Sequence, residues 1–390
     1  MRIIAEKMVP GGQCFARIEG KATFITGALP GETLEISVTS EKKDYSFAKI
    51  NAVLEPSPHR IAPPCPHFGL CGGCSLQMAD SAFQTELRKG ILAEALSRAH
   101  VPCPDEITAV TGDSFGYRSR FQFHRFSPSS VGIKESSSDR IVPIRDCPVA
   151  VPAIRSALAD GSLAAMSAGR RDGDRFHVFA LGSSLWHEDR DSLCEIPLDG
   201  RRISFDVRGF FQSNVPLLER LVRYLGDDLK EQRKESCRDP VDINLPMGAL
   251  LDFYAGVGTF SLCLGEGFAE TVLLEHNRSA LEAARVNMER AGIRARYLAA
   301  SDESWPDLAE SRRNYDFVIV DPPRSGLSRR TLRWFCESGT RNLRYVSCDP
   351  VTFARDAAAL TAAGYALDRL FMYDFYPQTH HLETMGVFRR

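Results

Sequence analysis

A cysteine follows an apolar run in Leu343-Arg344-Tyr345-Val346-Ser347-Cys348-Asp349-Pro350. At the carboxyl end of a strand, such a thiol opens into the cleft where α/β sheets bind ligands. A helix starting just after it would lower its pKa toward a nucleophilic thiolate. The plainer alternative is a small buried hydrophobe, the commoner fate of a lone cysteine. Asp321-Pro322-Pro323-Arg324 closes a second apolar run, where a rigid turn can aim a carboxylate at a ligand. In His380-His381-Leu382-Glu383 the adjacent histidines are expected on opposite faces of a strand, which argues against a metal site. Glu383 is then read as a general base entering the cleft before the last strand.

A fourth segment reads as a nucleotide-like cofactor turn. Leu250-Leu251-Asp252-Phe253-Tyr254-Ala255-Gly256-Val257-Gly258-Thr259 is an apolar strand running into Gly-x-Gly and a helix. Glu275 follows after the next strand, at the distance expected of a carboxylate that holds ribose hydroxyls. Ser261 replaces the third glycine of a dinucleotide fingerprint. The shorter turn, preceded by the acid Asp252, suits S-adenosylmethionine, which has no pyrophosphate to cradle.

Four cysteines form a separate group. Cys65, Cys71 and Cys74 enclose Gly72-Gly73, and Cys147-Pro148 supplies a fourth thiol. Zinc sites usually pair two Cys-x-x-Cys elements, whereas three cysteines in one loop plus a distant Cys-Pro look more like an iron–sulfur site. Tyr117-Arg118-Ser119-Arg120-Phe121-Gln122-Phe123-His124-Arg125 interleaves cations and aromatics. As a strand it would present Arg118, Arg120, Gln122 and His124 on one face, able to hold RNA phosphates or simply solvated.

Positioning these groups requires three kinds of element. Residues 1–55 alternate as short β runs separated by Gly11-Gly12, Glu19-Gly20 and Pro30-Gly31. This pattern predicts a five-stranded barrel like the oligonucleotide-binding fold. A proline-rich linker leads into the cysteine loop, and an amphipathic helix is expected over 80–99. A mixed, β-rich region occupies 117–206. Beyond Phe210 strands and helices alternate, predicting a parallel, doubly wound, Rossmann-like α/β sheet.

Composition is compatible with this plan. The chain has 390 residues, 44% hydrophobic and 25% charged, and a net charge of −2, so nucleic-acid affinity would have to come from local basic patches. Eleven cysteines without a recognisable export signal favour metal binding or catalysis over disulfides and imply a cytoplasmic protein. The most apolar stretch, Ala249–Phe268, holds Asp252, Glu266 and four glycines, unlike a membrane span.

In combination and order these motifs resemble the RNA 5-methyluridine methyltransferase family, the group containing the TrmA and RumA/RlmD enzymes. The resemblance runs over essentially the whole chain. Val9-Pro10-Gly11-Gly12-Gln13 and Gly27-Ala28-Leu29-Pro30-Gly31-Glu32 are similar to its RNA-binding TRAM module. The resemblance implies Cys348 as nucleophile and Glu383 as base. It implies Gln212, in Phe210-Phe211-Gln212-Ser213-Asn214, with Tyr254, Glu275 and Asp321 as cofactor residues. It also implies Cys65, Cys71, Cys74 and Cys147 as ligands of a [4Fe–4S] cluster. Ser301 or Asp302 is expected near the adenine. Phe210 is the candidate aromatic surface under a flipped base.

The implied domains are a TRAM/OB-like barrel over 1–55, an iron–sulfur domain over 56–76 and 110–206, and a methyltransferase domain over 77–109 and 207–390. The implied partner is RNA, ribosomal in the cluster-bearing subgroup, with transfer RNA as the alternative. Asp-Pro-Pro-Arg leaves open an amino methyltransferase of the N6-adenine type, which needs no thiol. A non-catalytic RNA-binding iron–sulfur protein is a third reading.

Overall fold

A computed structural model describes residues 1–136, 138–236 and 246–390. The N-terminal strands follow the alternation of the sequence: Cys14, Ala16, Thr23, Ile25, Ser46 and Ala48 are buried while their neighbours face outward. The β run ahead of Gly11-Gly12 is split into two strands. Arg2–Ile4 pairs with Thr33–Glu41, and Lys7–Met8 pairs with Gln13–Ile18. The sheet order places these two pieces at opposite edges, so one continuous segment joins both edges and closes the barrel.

A five-stranded antiparallel sheet forms the central region, with Arg120–Ser127 in its middle. Phe121, Phe123, Phe176 and Val178 build its core. The hairpin Leu193–Leu198/Arg201–Asp206 instead shares a core with the C-terminal half. Asn287, on the helix Arg278–Ala291, bonds the backbone of Ser204 in both directions.

The C-terminal half is an eight-stranded sheet. Its order is Ala295–Leu298, Phe268–Leu274, Met247–Phe253, Phe317–Val320, Asn342–Ser347, Glu383–Arg389, Ala366–Tyr373 and Ile107–Val110. The sheet is parallel as expected except for Glu383–Arg389, which runs antiparallel to both neighbours. The strand Ile107–Val110 pairs with Ala366–Tyr373, and the helix Ser81–Arg98 packs beside Pro350–Ala362. That helix starts where Asp80 accepts a hydrogen bond from the Phe83 N–H.

The chain from Asp374 to Leu382 reverses direction between the last two strands, and everything nearby holds it. Arg88, fully buried, donates to Asp374 Oδ2 at 2.6 Å and to the Thr379 carbonyl at 2.8 Å. Gln84 and Gln378 exchange hydrogen bonds at 3.0 Å. The Tyr117 hydroxyl donates to the Pro377 carbonyl, and the amides of Ser75 and Leu76 donate to that of Gln378. The barrel also touches this segment. A Cβ on Gly12, whose φ is +77°, would lie 2.7 Å from His380 Cβ, so no side chain fits there.

Burial pushes the Asp374 carboxyl upward and Arg88 opposes the shift. Removing one partner leaves the other charge buried and uncompensated. Arg88→Met should therefore lower the unfolding free energy by about 3–5 kcal/mol. Urea titration of the variant against the parent checks this.

Candidate active site

Register assembles the site. Phe253 lies opposite Leu274 on one side and Val320 on the other. The next residues along these three parallel strands are Glu275, Tyr254 and Asp321, so all three emerge side by side at the carboxyl edge. On the antiparallel strand Ser347 pairs with Thr384. One step further, that register puts Cys348, just past the end of its strand, opposite Glu383, the first residue of its own.

These residues line one cleft of about 1580 Å³ between the central sheet and the C-terminal sheet. Gln212, Tyr254, Gly256, Glu275, Ser301, Asp302 and Asp321 form one part of the wall. Phe210, Arg324, Cys348, Tyr376, His381 and Glu383 form another.

The first part suits a cofactor with ribose hydroxyls and a cationic sulfonium, because its polar groups are mostly carboxylates. Glu275 accepts hydrogen bonds from the amides of Gly256 at 3.0 Å and Asn277 at 2.7 Å, which ties it to the glycine turn. Tyr254 has φ +66°, a left-handed conformation costly for a tyrosine and concentrated at ligand sites. Gly258, at φ +80°, abuts Ala284 of the helix Arg278–Ala291, and a Cβ there would come within 3.1 Å. Asp252 plays a different part from the one its position suggested. It is buried and accepts from the Ser261 amide at 3.0 Å and hydroxyl at 2.6 Å. The serine that breaks the dinucleotide fingerprint thus anchors the helix start.

The second part is an acidic pocket. Burial pushes Asp321 up to about 7, with Asp252 adding to the shift. Glu383 is pushed well above the ordinary carboxylate range by burial and by Asp321, with Arg324 opposing. Cys348 is pushed up to about 12 by burial first, then by Glu383 and Asp321. The expectation of a thiol activated by the following helix is therefore not met. Asp349 caps that helix and takes the Val351 and Thr352 amides, and two carboxyl groups face the sulfur. His380 and His381 are not on a strand. They lie in the reversing segment with rings 4.2 Å apart, His380 bonded to Ser75 and His381 held neutral, near pKa 4, mainly by burial.

The basic segment divides. Arg118 and Gln122 line the cleft, with the Arg118 guanidinium over the Phe121 ring at 4.6 Å. His124 keeps the register of its strand but is buried and bonded to the Gly173 carbonyl, so it is not open to a ligand. Phe210 is 67% exposed, while Phe211 goes into the core and stacks on Phe205. Core packing is thus excluded as the explanation for Phe210. Arg324 was visible in its motif without an assigned role. Tyr376 carried no sequence signal, since only the reversing segment brings it to the cleft, where its hydroxyl reaches Gln212 at 3.4 Å.

Cys65, Cys71, Cys74 and Cys147 are free and only partly exposed. The thiols of Cys71, Cys74 and Cys147 each feel the charge of others in the set, so the two segments bring the four together. Burial pushes Cys74 up to about 11 and Cys147 to about 12. Four convergent thiols fit a tetrathiolate group in their donor chemistry. Among the described residues, no group of three or more His, Cys, Asp or Glu is placed to hold a metal ion as the chain stands. No helix among the described residues is long and apolar enough to cross a membrane.

A Rossmann-like sheet with a carboxylate-lined turn and a thiol at its carboxyl edge defines the class of S-adenosylmethionine-dependent methyltransferases. Residues 243–390 match the family model described as tRNA (Uracil-5-)-methyltransferase, and residues 2–50 match the TRAM domain. An uncharacterized RNA methyltransferase of Treponema denticola is 40% identical, covering 99% of this chain and 98% of its own. The 23S rRNA (uracil(1939)-C(5))-methyltransferase RlmD of Klebsiella pneumoniae is 30% identical over 98% of this chain and 94% of its own. The tRNA (uracil-54, C5)-methyltransferase of Pyrococcus abyssi, solved with S-adenosyl-L-homocysteine, superposes with a TM-score of 0.74 at 23% identity, covering 100% of both chains. The chain belongs to the RNA (uracil-5-)-methyltransferase family.

The environment of Cys348 predicts its reactivity without RNA. Alkylation by iodoacetamide, followed by peptide mass spectrometry, should be slow at pH 7 and rise about tenfold per pH unit between 8 and 11, because only the thiolate reacts. Arg324→Gln should slow it further at each pH, since the cation favouring the thiolate is gone. A rate that levels off below pH 9 would contradict this account.

Proposed function

We propose that this enzyme methylates carbon 5 of a uridine in ribosomal RNA through a covalent adduct on Cys348. The observation that carries the reading is the antiparallel register setting Cys348 against Glu383 in the cleft that also holds Gln212, Tyr254, Glu275 and Asp321. Ribosomal RNA is favoured because the relative named for 23S rRNA aligns over nearly the full chain at 30% identity. Comparing 5-methyluridine in ribosomal and transfer RNA from cells with and without the protein tests that choice.

Carbon 5 of uracil is a weak nucleophile. Cys348 gives up its thiol proton to solvent, the sulfur bonds to carbon 6, and the ring's electron pair moves toward the carbonyl at carbon 4, leaving an enolate nucleophilic at carbon 5. S-adenosylmethionine, when bound, supplies the electrophilic methyl group. Glu275 holds its ribose, and Gln212, Tyr254 and Asp321 complete the pocket. Glu383 as carboxylate removes the carbon-5 proton, and the carbon–sulfur bond then breaks. A carboxyl whose pKa is raised by burial is a stronger base once ionised than an ordinary one. Phe210 offers its exposed ring to the base, which must leave its stack to reach the thiol.

Cys65, Cys71, Cys74 and Cys147 would hold a [4Fe–4S] cluster in the iron–sulfur domain over 56–76 and 110–206, between the barrel over 1–55 and the methyltransferase domain over 77–109 and 207–390. That cluster would brace the loop whose Ser75 and Leu76 amides bind Gln378, ahead of Glu383. Anaerobically purified protein should contain about four irons and four sulfides. Cys147→Ser should lose most of them, and stoichiometric zinc without labile sulfide would refute the assignment.

Cys348 and Glu383 should fail differently. Cys348→Ala removes both methylation and adduct, because no other thiol lines the cleft among the described residues. Glu383→Gln still allows addition and methyl transfer but leaves no base for the carbon-5 proton. It should accumulate a covalent protein–RNA complex carrying the methyl group, seen as one band with both labels on a denaturing gel. Methylation surviving in Cys348→Ala would favour amino methylation over the thiol route.

A further inference from the structure

The turn that carries Arg324 is gripped by the helix that begins beside Cys348. The turn is closed by the Gly326 amide, which donates to the Pro323 carbonyl at 2.8 Å. Gly326 has φ +72°, and a Cβ there would lie 2.5 Å from Arg355 Nη2 and 2.6 Å from Asp356 Oδ2. Only glycine lets the turn approach the helix this closely. The helix, Pro350–Ala362, is capped by Asp349, the residue after Cys348.

Three of its side chains hold the turn. The Thr352 hydroxyl has its nearest acceptor in the Arg324 carbonyl, at 3.0 Å. Arg355 Nη2 donates to the carbonyls of Ser325 and Leu327, each at 3.1 Å. Asp356, fully buried, accepts from the Leu327 amide at 2.9 Å. Its carboxylate is fixed in turn by the Tyr345 hydroxyl at 2.6 Å and by Arg355 Nε at 2.7 Å. Tyr345 belongs to the strand that leads into Cys348. None of Thr352, Arg355 and Asp356 lines the cleft.

What the grip fixes is Arg324, whose side chain does line the cleft, with Nη2 3.5 Å from His381 Nδ1. Its guanidinium is the cation that acts on both Cys348 and Glu383. Charge–charge interaction falls with distance, and a long flexible side chain delivers its charge only where its backbone is held.

We propose that Thr352, Arg355 and Asp356 are positioning residues: they clamp the Arg324 turn onto the helix that starts beside Cys348, so that cation and nucleophile are held by one rigid element. The inference rests on the reading of Cys348 as the nucleophile. It goes beyond that reading in assigning work to three residues outside the cleft.

The test uses the full chain and reads Cys348 alkylation by iodoacetamide against pH, without RNA. The groups facing that sulfur are Glu383, Asp321 and Arg324, with Tyr376 also within electrostatic reach. Thr352→Val/Arg355→Gln releases the turn and leaves buried Asp356 in place. With the cation displaced, less thiolate forms at a given pH. Alkylation at about pH 9 should slow about three- to tenfold, and the profile should move to higher pH. A turn held only for structure predicts the opposite sign, because loosening it exposes the sulfur. In an Arg324→Gln background the same two substitutions should cost less than about twofold, since the group they position is gone. Circular dichroism verifies the fold, and Thr352→Val alone tests the same sign if the double variant does not fold.

Parental or faster alkylation in the folded variant overturns the clamp, as do losses that multiply with that of Arg324→Gln. On RNA the double variant should slow single-turnover methylation by a similar factor, and a parental methylation rate overturns the positioning role. A parent that never methylates uridine, yet shows the slowed and non-additive alkylation in its variants, sinks the proposed reaction and leaves the clamp standing.

Discussion

One antiparallel strand in an otherwise parallel sheet is the constraint on which the site depends. Parallel strands bring only their carboxyl ends together, so they can gather Glu275, Tyr254, Asp321 and Cys348 along one edge. They cannot set the first residue of a strand beside the last residue of its neighbour. The reversed strand Glu383–Arg389 does so, and its register sets Glu383 against Cys348. The reversal obliges the chain to turn between Tyr373 and Glu383, and that turn supplies Tyr376 and His381 to the same cleft.

The turn would be a mobile surface loop in isolation. Here it is tied down from several sides. The helix Ser81–Arg98 holds it through Gln84 and Arg88, the central region through Tyr117, and the cysteine loop through Ser75 and Leu76. Gly12 brings the barrel against it. All three regions of the chain therefore meet on the segment that leads into Glu383. The cysteine loop is joined to it by backbone hydrogen bonds, and the barrel by the close approach of Gly12 to His380.

Electrostatically the site is assembled against its own stability. Burial raises the proton affinity of Asp321 and Glu383, with Asp252 adding to the first and Asp321 to the second, and both carboxyl groups raise that of the Cys348 thiol. Arg324 is the cation that opposes this, toward both Glu383 and Cys348. The cofactor side uses the same acidic wall in the opposite sense, since carboxylates suit a positively charged sulfonium.

The sequence alone determined what is local and periodic. Alternation in 1–55 revealed the barrel, the alternation of strands and helices beyond Phe210 revealed the parallel sheet, and Gly-x-Gly between an apolar strand and a helix marked a strand–turn–helix unit. Composition and spacing pointed to Cys348, to Glu383 and to the four cysteines as groups worth watching. The tertiary structure decided what depends on pairing between distant segments. It split the first strand to close the barrel, reversed the last strand, buried His124, and assigned Asp252 to a helix start rather than to a ligand. It also decided the state of Cys348. A helix start next in sequence predicts a lowered pKa, but burial and two carboxyl groups brought in from other strands push the thiol up. Propensity and periodicity are properties of neighbours along the chain, whereas register and desolvation are set only when segments hundreds of residues apart pack together.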